Sequence, residues 1–538
     1  MKKAKFESFG VMIDASRNAV MTLDAYKRFF PILKKMGYNT VFLYCEDTYE
    51  VEGEPYFGYM RGRYTKEEMK SLDAYASSIG IEIIPCIQTL AHLETIFKWN
   101  KYPNDTHEVL LIDDDRTYEL IDRMFATLKE CFSTTRLHAG MDEAWMLGRG
   151  RHTDVYGYEE PATMMTRHLD RVSKLAEKHG YEIMVWSDMF FRPWCNGIYP
   201  STRVTVPEEY KAALPKSVLP VYWNYYTRDE QVYLDVLDNH KQLSNRPWFA
   251  GGAWTWGGFM PHNKFSLESM LPALRAAKKQ NIKNFFLTMW GDNGGECSKL
   301  SALPTLFWLS EVYRGNEDED KIKAKFERMF GISFDEFMLL DTPNDLYPNK
   351  EEVDHPINPS KYMLYSDYFN GFLDYTVTKG GNALYKEKAE KLHKVAKKSR
   401  KFGYLFNTAA TLCDVLAIKY ELGVKTREVY KSGDKSELSR LANEEYTELI
   451  SRIKAFRRAF LHQWTLENKY CGFDVQDYRL GGLVARTESC KKRLLDYASG
   501  KIASIDELEC DILPYGPNEK GKSIYYNNFR ESATSNPF

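Results

Sequence analysis

The sequence predicts an α/β chain, an eight-stranded parallel (β/α)8 TIM barrel followed by an all-helical C-terminal domain, and three observations carry that prediction. From residue 9 to about residue 315, short β-rich apolar runs alternate with amphipathic segments, and the alternation repeats eight times. Successive units are spaced by roughly 30 to 50 residues, enough for a strand, a covering helix and two loops. Past about Gly315 the alternation stops and long charged segments with helical periodicity take over. An open doubly wound sheet is the competing arrangement, but no glycine-rich phosphate-binding turn follows any of the strands.

In chain order the eight runs read "VMIDASR", "TVFLYCED", "IEIIPCIQ", "TRLHAGMDE", "EIMVWSD", "VLPVYWN", "WFAGGAWTW" and "NFFLTMWGD". Each is short and mostly apolar, as a strand covered on both faces should be. Between them lie helix signals. "DAYKRFFPILKKMG" starts at Asp24, read as its N-cap, and stops at Gly37; "TKEEMKSLDAYASSIG" runs from Thr65 to Gly80. In the C-terminal region Leu449, Ile453, Phe456 and Phe460 are spaced four, three and four apart and share one helix face. The last stretch, "PYGPNEKGKSIYYNNFRESATSNPF", is dense in turn formers. The domain expectation is therefore a barrel over 1–315, a helical domain over 316–510 and an irregular tail over 511–538.

Composition narrows the partners. The 538 residues carry 73 Lys and Arg against 75 Asp and Glu, a formal charge of -2, with 43% hydrophobic content. That balance gives no electrostatic reason to engage nucleic acid or an anionic membrane, so a neutral small molecule is expected. No stretch approaches the roughly 20 apolar residues of a membrane span. The opening "MKKAKFESFGVMIDAS" lacks the apolar core and small-residue cleavage site of a secretion signal. Nine cysteines, an odd number without CxxC or zinc-finger spacing, fit reduced thiols and a cytoplasmic address.

Parallel barrels gather their chemistry at the C-terminal ends of the strands, so the last residues of each run form one set. Asp14 and Arg17 follow the first run, Glu46 and Asp47 the second, Gln88 and His92 the third, and His138, Asp142 and Glu143 the fourth. Trp186 and Asp188, Trp223 with Tyr225 and Tyr226, Trp254 with Trp256, and Trp290 with Asp292 complete it. Of eleven tryptophans ten lie before residue 310, most at the expected barrel mouth. Indoles, carboxylates and an arginine together suit a sugar, whose C–H face stacks on rings while its hydroxyls bond to charged groups. Duller readings stand beside this one. Asp14 and Arg17 also fit a structural ion pair, His92 and His138 fit satisfied core histidines, and any single Trp fits packing. Without HxH or HExxH spacing no metal is expected, and no cofactor. Cys45, Cys86 and Cys297 lie near strand ends without the context of a thiol nucleophile.

Asp142 and Glu143 are adjacent, too tightly linked to flank a glycosidic bond from opposite sides as paired glycosidase carboxylates do. A substrate bearing a 2-acetamido group removes the difficulty, because its carbonyl oxygen can attack the anomeric carbon. One acid then orients the acetamide and the other protonates the leaving oxygen.

"RLHAGMDEAW" resembles the H-x-G-G-D-E signature of glycoside hydrolase family 20, the β-N-acetylhexosaminidases, and "VMIDASR" is similar to that family's D-x-x-R. "VWSD" and "MWGD" are similar to its W-[DQ]-E and W-G-E elements, in the same order along residues 5 to 315. The resemblance implies that Glu143 is the general acid and later base and that Asp142 polarises the acetamide. It implies that Arg17 holds the 3- and 4-hydroxyls, that Trp186, Trp223 and Trp290 wall the N-acetyl pocket, and that Asp292 takes the outer hydroxyls. His92 in "IQTLAH" is similar to the P-G-H histidine, linked to Asp47 in support of the acid. Met141 replaces the second glycine, Asn18 stands where an Arg-His pair is common, and Asp292 is one methylene shorter than the usual Glu. Thr255 falls where the family carries an acetamide-binding tyrosine, so Tyr225 or Tyr226 is expected to supply that hydroxyl.

The expectation is an exo-β-N-acetylhexosaminidase releasing terminal β-linked GlcNAc or GalNAc by a substrate-assisted retaining route. Two alternatives stay open: a retaining β-glycosidase with Asp188 or Asp292 as nucleophile, and a non-catalytic amino-sugar-binding barrel. His138 and Trp254 complete the expected sugar contacts, and the helical domain is expected to support a homodimer.

Overall fold

The computed structural model describes residues 6–347, 355–371, 373–513 and 528–537. Eight parallel strands close into a barrel in sequence order: β1 (Ser8–Asp14), β2 (Thr40–Tyr44), β3 (Glu82–Cys86), β4 (Arg136–His138), β5 (Glu182–Trp186), β6 (Val218–Trp223), β7 (Trp248–Gly252) and β8 (Asn284–Met289). Seven of the strands fall within the runs picked out from the sequence, and β1 begins three residues ahead of its run. Closure comes from β1, which pairs with β2 through Gly10 opposite Thr40 and with β8 through Ser8 opposite Asn284.

Strand alternation explains what fills the interior. Residues two apart share a face, so Phe42 and Tyr44 of β2 both turn inward, as do Arg136 and His138 of β4. An aromatic column results. The Arg136 guanidinium lies 5.2 Å from the Trp248 ring, Trp248 meets Phe42 edge-on at 5.6 Å, and Phe42 stacks on Phe286 at 4.2 Å. Trp186 then packs 6.1 Å from Phe286 and 5.9 Å from Trp290, and Trp290 meets Tyr44 at 4.7 Å. Burying each such side chain contributes roughly 1.5–3 kcal/mol. The column runs without a break from the floor of the barrel to its mouth.

The helices follow their sequence signals with one correction. Leu23–Met36 is capped by Thr22 rather than Asp24: the Thr22 hydroxyl accepts from the Ala25 N–H at 3.2 Å, and Asp24 sits in the first turn, where the helix dipole favours a negative charge. Gly37 ends that helix in the left-handed conformation at φ 89. Lys66–Ser78 opens with a capping box between Thr65 and Glu68.

The chain divides into two compact units, the first being Met1–Ala253, Ser266–Trp290 and Leu309–Gly315 and the second Trp254–Phe265, Gly291–Trp308 and Asn316–Phe538. The first holds the barrel strands. In the second, the long helices Gly403–Ser432, Glu445–Glu467 and Phe473–Ala498 build a separate core, with Leu449, Ile453, Phe456 and Phe460 buried as their spacing requires. Two segments expected to belong with the barrel cluster here instead. Phe259 packs on Phe456 and Phe460, and the Glu296 carboxylate is gripped by Lys361 at 2.7 Å and Arg479 at 3.0 Å. Of the expected irregular tail, residues 514–527 and 538 lie outside the described residues, and Phe529–Ala533 forms a short helix. Among the described residues no helix is long and apolar enough to cross a membrane.

The Lys361–Glu296 pair is almost wholly dry, with side chains 0% and 1% exposed. Removing one partner of a buried pair leaves an undercompensated charge, so Lys361→Met is expected to destabilise this unit by about 3 kcal/mol. Adding Glu296→Gln should recover part of the loss, and chemical denaturation of the two variants measures both effects.

Candidate active site

The mouth is organised first by Arg17. The Asp14 carboxylate accepts from the Ser16 N–H at 2.8 Å and the Ser16 hydroxyl at 2.7 Å, closing the turn after β1, and its second oxygen accepts from Arg17 Nη1 at 3.1 Å. Arg17 Nη2 reaches Glu46 Oε1 at 3.2 Å, and the guanidinium lies 5.0 Å from the Tyr44 ring and 5.2 Å from that of Trp290. Two carboxylates and two ring faces thus fix this guanidinium at the top of the aromatic column. Burial raises the Glu46 pKa, and the Arg17 charge works against that rise.

From Glu46 a hydrogen-bonded chain leads to the adjacent acids. The Tyr44 hydroxyl donates to Glu46 Oε1 at 3.1 Å, and Gln88 Nε2 donates to the Tyr44 hydroxyl at 3.0 Å and to Asp142 Oδ1 at 2.7 Å. His92 Nε2 lies 3.3 Å from Asp142 Oδ2 and 3.8 Å from Glu143 Oε2. Burial alone would lower the His92 pKa, but the Asp142 carboxylate outweighs it and holds the imidazole at about 9. Burial alone would raise Asp142, and the His92 charge with the bonds from His92 and Gln88 instead hold its carboxyl below the usual range. Both groups are charged at neutral pH.

The segment carrying the acids is a strained turn. Gly140, Met141 and Glu143 take φ 75, 73 and 49, and His92 takes φ 56. Left-handed backbone at a side-chain-bearing residue costs of order 1–3 kcal/mol and persists only where neighbours hold it. Here the Met141 N–H donates to Gln88 Oε1 at 3.1 Å and the Glu143 N–H to Asp188 Oδ2 at 3.1 Å. The turn separates the two acids. The Asp142 side chain is 12% exposed, whereas that of Glu143 is 41% exposed.

Asp188 closes the far side. Its Oδ1 accepts from Trp223 Nε1 at 3.3 Å, and Trp223 stacks on Tyr225 at 5.5 Å. Burial, then the charge of Asp142, pushes Asp188 up to about 7.

Residues 7–293 match the glycosyl hydrolase family 20 catalytic domain, more than half of the chain, and residues 335–526 match the glycoside hydrolase 20C C-terminal domain. The chain belongs to glycoside hydrolase family 20. Hexosaminidase D from Homo sapiens is 26% identical over 332 residues, covering 56% of this chain and 65% of that protein. Hexosaminidase D from Bos taurus is 24% identical over 341 residues, 56% of this chain and 91% of that protein. A solved exo-β-N-acetylglucosaminidase of the same family from Vibrio harveyi aligns at 13% identity, covering 62% of this chain and 58% of that one, with a TM-score of 0.44.

In this family 20 chain the structure brings Arg17, His92, Asp142, Glu143, Trp186, Trp223, Tyr225 and Trp290 together at the barrel mouth. His138 differs from the expected sugar contact. It is fully buried in the barrel interior, 4.3 Å beneath Trp186, with its Nδ1 accepting from the Gly140 N–H at 3.1 Å and its pKa pushed down to about 3 by burial. His92 is not linked to Asp47 as expected. Asp47 accepts from Arg61 at 3.3 Å, and Arg61 also donates to Asn18 at 2.6 Å, so the histidine is left to Asp142. Tyr226 is 45% exposed, in contrast to the buried Tyr225. Trp254, Thr255 and Asp292 belong to the second unit, where Trp254 stacks on Trp256 at 4.2 Å and Lys299 Nζ donates to Thr255 at 3.4 Å.

The sequence placed Gln88 at a strand end but assigned it no role, and gave none to Tyr44; neither residue type signals chemistry outside its fold. Among the described residues, Asp113, His152 and Glu159 bring ligand-type atoms within 4.8 Å of one another, but Arg167 bonds both carboxylates at 2.6 Å and already supplies the cation. Burial pushes Cys45 and Cys297 up to about 12, which keeps them as thiols.

Because the folded state raises the His92 pKa, the pair stabilises the fold fully below about pH 6.5 and loses that contribution as pH rises through about 9. The linkage is on the order of 3 kcal/mol. Melting curves should therefore show wild type losing its advantage over His92→Gln between pH 6 and pH 9.5.

Proposed function

We propose that the chain is an exo-acting β-N-acetylhexosaminidase that removes terminal β-linked GlcNAc or GalNAc with retention, the substrate's own acetamide serving as nucleophile. One observation carries the reading: two adjacent acids sit in opposite environments, Asp142 buried and held ionised by Gln88 and His92, Glu143 turned outward by a left-handed backbone. Family membership and the hexosaminidase D relatives support it.

Asp142 accepts the acetamide N–H and draws the group beneath the sugar, so that its carbonyl oxygen attacks the anomeric carbon as the glycosidic C–O bond breaks. Glu143 delivers its proton to the departing oxygen. As a carboxylate it then takes a proton from water, whose oxygen attacks the anomeric carbon and returns the acetamide. The positive charge that develops on the acetamide lies against the Asp142 carboxylate, stabilisation realised chiefly in the transition state. Arg17 binds the 3- and 4-hydroxyls, Trp186, Trp223 and Trp290 surround the N-acetyl methyl, and Tyr225, stacked on Trp223, donates to the acetamide oxygen. The composition supports a cytoplasmic address and no cofactor.

Asp188 as the nucleophile of a conventional retaining mechanism is disfavoured. Its side chain is fully buried and its two oxygens accept from the Glu143 N–H and the Trp223 indole. Glu143→Gln is expected to lower kcat on a GlcNAc-terminated disaccharide by about 10²–10⁴. Asp142→Asn should cause a loss of similar size, and a thiazoline mimic of GlcNAc should inhibit wild type strongly but this variant weakly. Equal turnover of aryl β-glucoside and aryl β-GlcNAc would overturn the role of the acetamide.

A further inference from the structure

An open cleft of about 1050 Å³ begins at Ala144, the residue after Glu143, and is bounded by Trp145, Met189, Arg192, Tyr158 and Tyr210 among others. That volume is at the upper end of the roughly 300–1,000 Å³ typical of small-molecule sites, more than a single monosaccharide needs. Nothing in the chemistry at Asp142 uses it. We infer that this cleft is the leaving-group subsite and that Trp145 is the platform on which the second sugar of a β-linked oligosaccharide stacks. The inference rests on the reading of Glu143 as the acid, and it names what lies on the other side of the bond that Glu143 protonates.

Position is the first argument. A general acid must stand within hydrogen-bond reach of the leaving oxygen, so the leaving group has to lie beside Glu143. Trp145 is fixed there, since its N–H donates to the Glu143 carbonyl at 2.7 Å across the same strained turn. The second argument is exposure. Trp145 is 43% exposed, while the other large indoles of the chain are buried or half-buried. An indole left open to water in a concave site offers a flat apolar face to the C–H face of a pyranose.

The third argument is how the platform is held. The Arg192 guanidinium lies 3.9 Å from the Trp145 ring centre, its Nη1 donates to the Gly197 carbonyl at 3.0 Å, and its Nε lies 3.7 Å from Asp188 Oδ2. That same Asp188 oxygen accepts the Glu143 N–H. Ring, guanidinium, carboxylate and the peptide of the acid therefore form one connected unit. A sugar seated on Trp145 is placed against groups that also set the orientation of Glu143. The rim supplies hydrogen-bonding partners for hydroxyls, among them the Tyr158 hydroxyl, which donates to Glu160 at 2.9 Å. Three carboxylates along the wall are engaged locally, Glu159 with Arg167, Asp170 with Lys174 and Glu160 with Tyr158. An uncharged polyhydroxylated occupant fits this surface.

The test compares two substrates with the same terminal sugar: a β-linked GlcNAc disaccharide and the β-fluoride of GlcNAc, whose leaving group is one atom and reaches no subsite. Trp145→Ala is expected to lower the disaccharide-to-fluoride ratio of kcat/KM about tenfold, the scale of one aromatic stacking contact. Trp145→Phe, which keeps a ring, should restore most of the ratio. An unchanged ratio in Trp145→Ala, or a Trp145→Phe ratio as low as that of Trp145→Ala, overturns the inference. Failure of wild type to hydrolyse either substrate overturns the proposed hexosaminidase activity instead, so the two failures are told apart.

Discussion

A carboxylate ionised in a nearly dry place is the constraint around which the mouth of this barrel is built. Asp142 has lost most of its hydration, and an unpaired charge there would cost several kcal/mol or take up a proton. Gln88 and His92 each cover one of its oxygens. The cost is passed outward. His92 is held protonated, and its ring is delivered from left-handed backbone at φ 56. Asp188, the next acid in, is pushed toward the neutral form first by its own burial and then by the negative charge already in place. One fixed charge thereby bears on both His92 and Asp188, while the Glu143 side chain keeps its access to solvent.

The same constraint reaches down into the barrel. Tyr44 belongs both to the aromatic column, through Trp290, and to the polar chain, through Glu46 and Gln88. A shift in packing at Phe42 or Phe286 would be felt two residues along β2 at that hydroxyl, because a packed interior moves as a body. The barrel core and the site are therefore one mechanical object. Buried His138 makes the point from the other side: neutral and locked under Trp186, it accepts from Gly140 and fixes the first residue of the turn that carries the acids.

The architecture was legible because it rests on local patterns. Eight apolar runs with turn signals between them require no knowledge of what touches what, and the barrel rule then collects their ends into one site. Asp142, Glu143, Arg17 and His92 could be picked out because charged residues at strand ends are chemically conspicuous. Their partners could not be assigned from sequence. His92 meets Asp142, while Asp47 is taken by Arg61, fourteen residues further along the chain, and no local pattern announces either pairing. His138 sits in the same quoted motif as the acids, yet strand alternation sends it into the core, and a three-residue strand gives that alternation little sequence to be read from. The division of the C-terminal half was equally hidden, since Lys361 and Arg479 lie far along the chain from the Glu296 they hold.

Gln88 shows why a neutral residue can be harder to replace than a charged one. Its amide oxygen accepts from the Met141 N–H, while its amide nitrogen donates to Asp142 and to Tyr44. The orientation is therefore dictated from both ends. A carboxylate in its place would set a second negative charge against Asp142, and a hydrocarbon would strip the strained Met141 peptide of its acceptor and leave one oxygen of the buried Asp142 charge uncovered. Space is equally fixed, because a Cβ on Gly140 would come within 2.1 Å of the Gln88 oxygen and 2.6 Å of the Ile87 carbonyl. Glycine is thus required at the first position of the turn by contact as well as by φ. At the second position the chain carries Met141 in left-handed backbone, held by the Gln88 bond and by complete burial of its side chain. The departure from the family signature is tolerated because the amide that compensates it is the one that the neighbouring acid already requires.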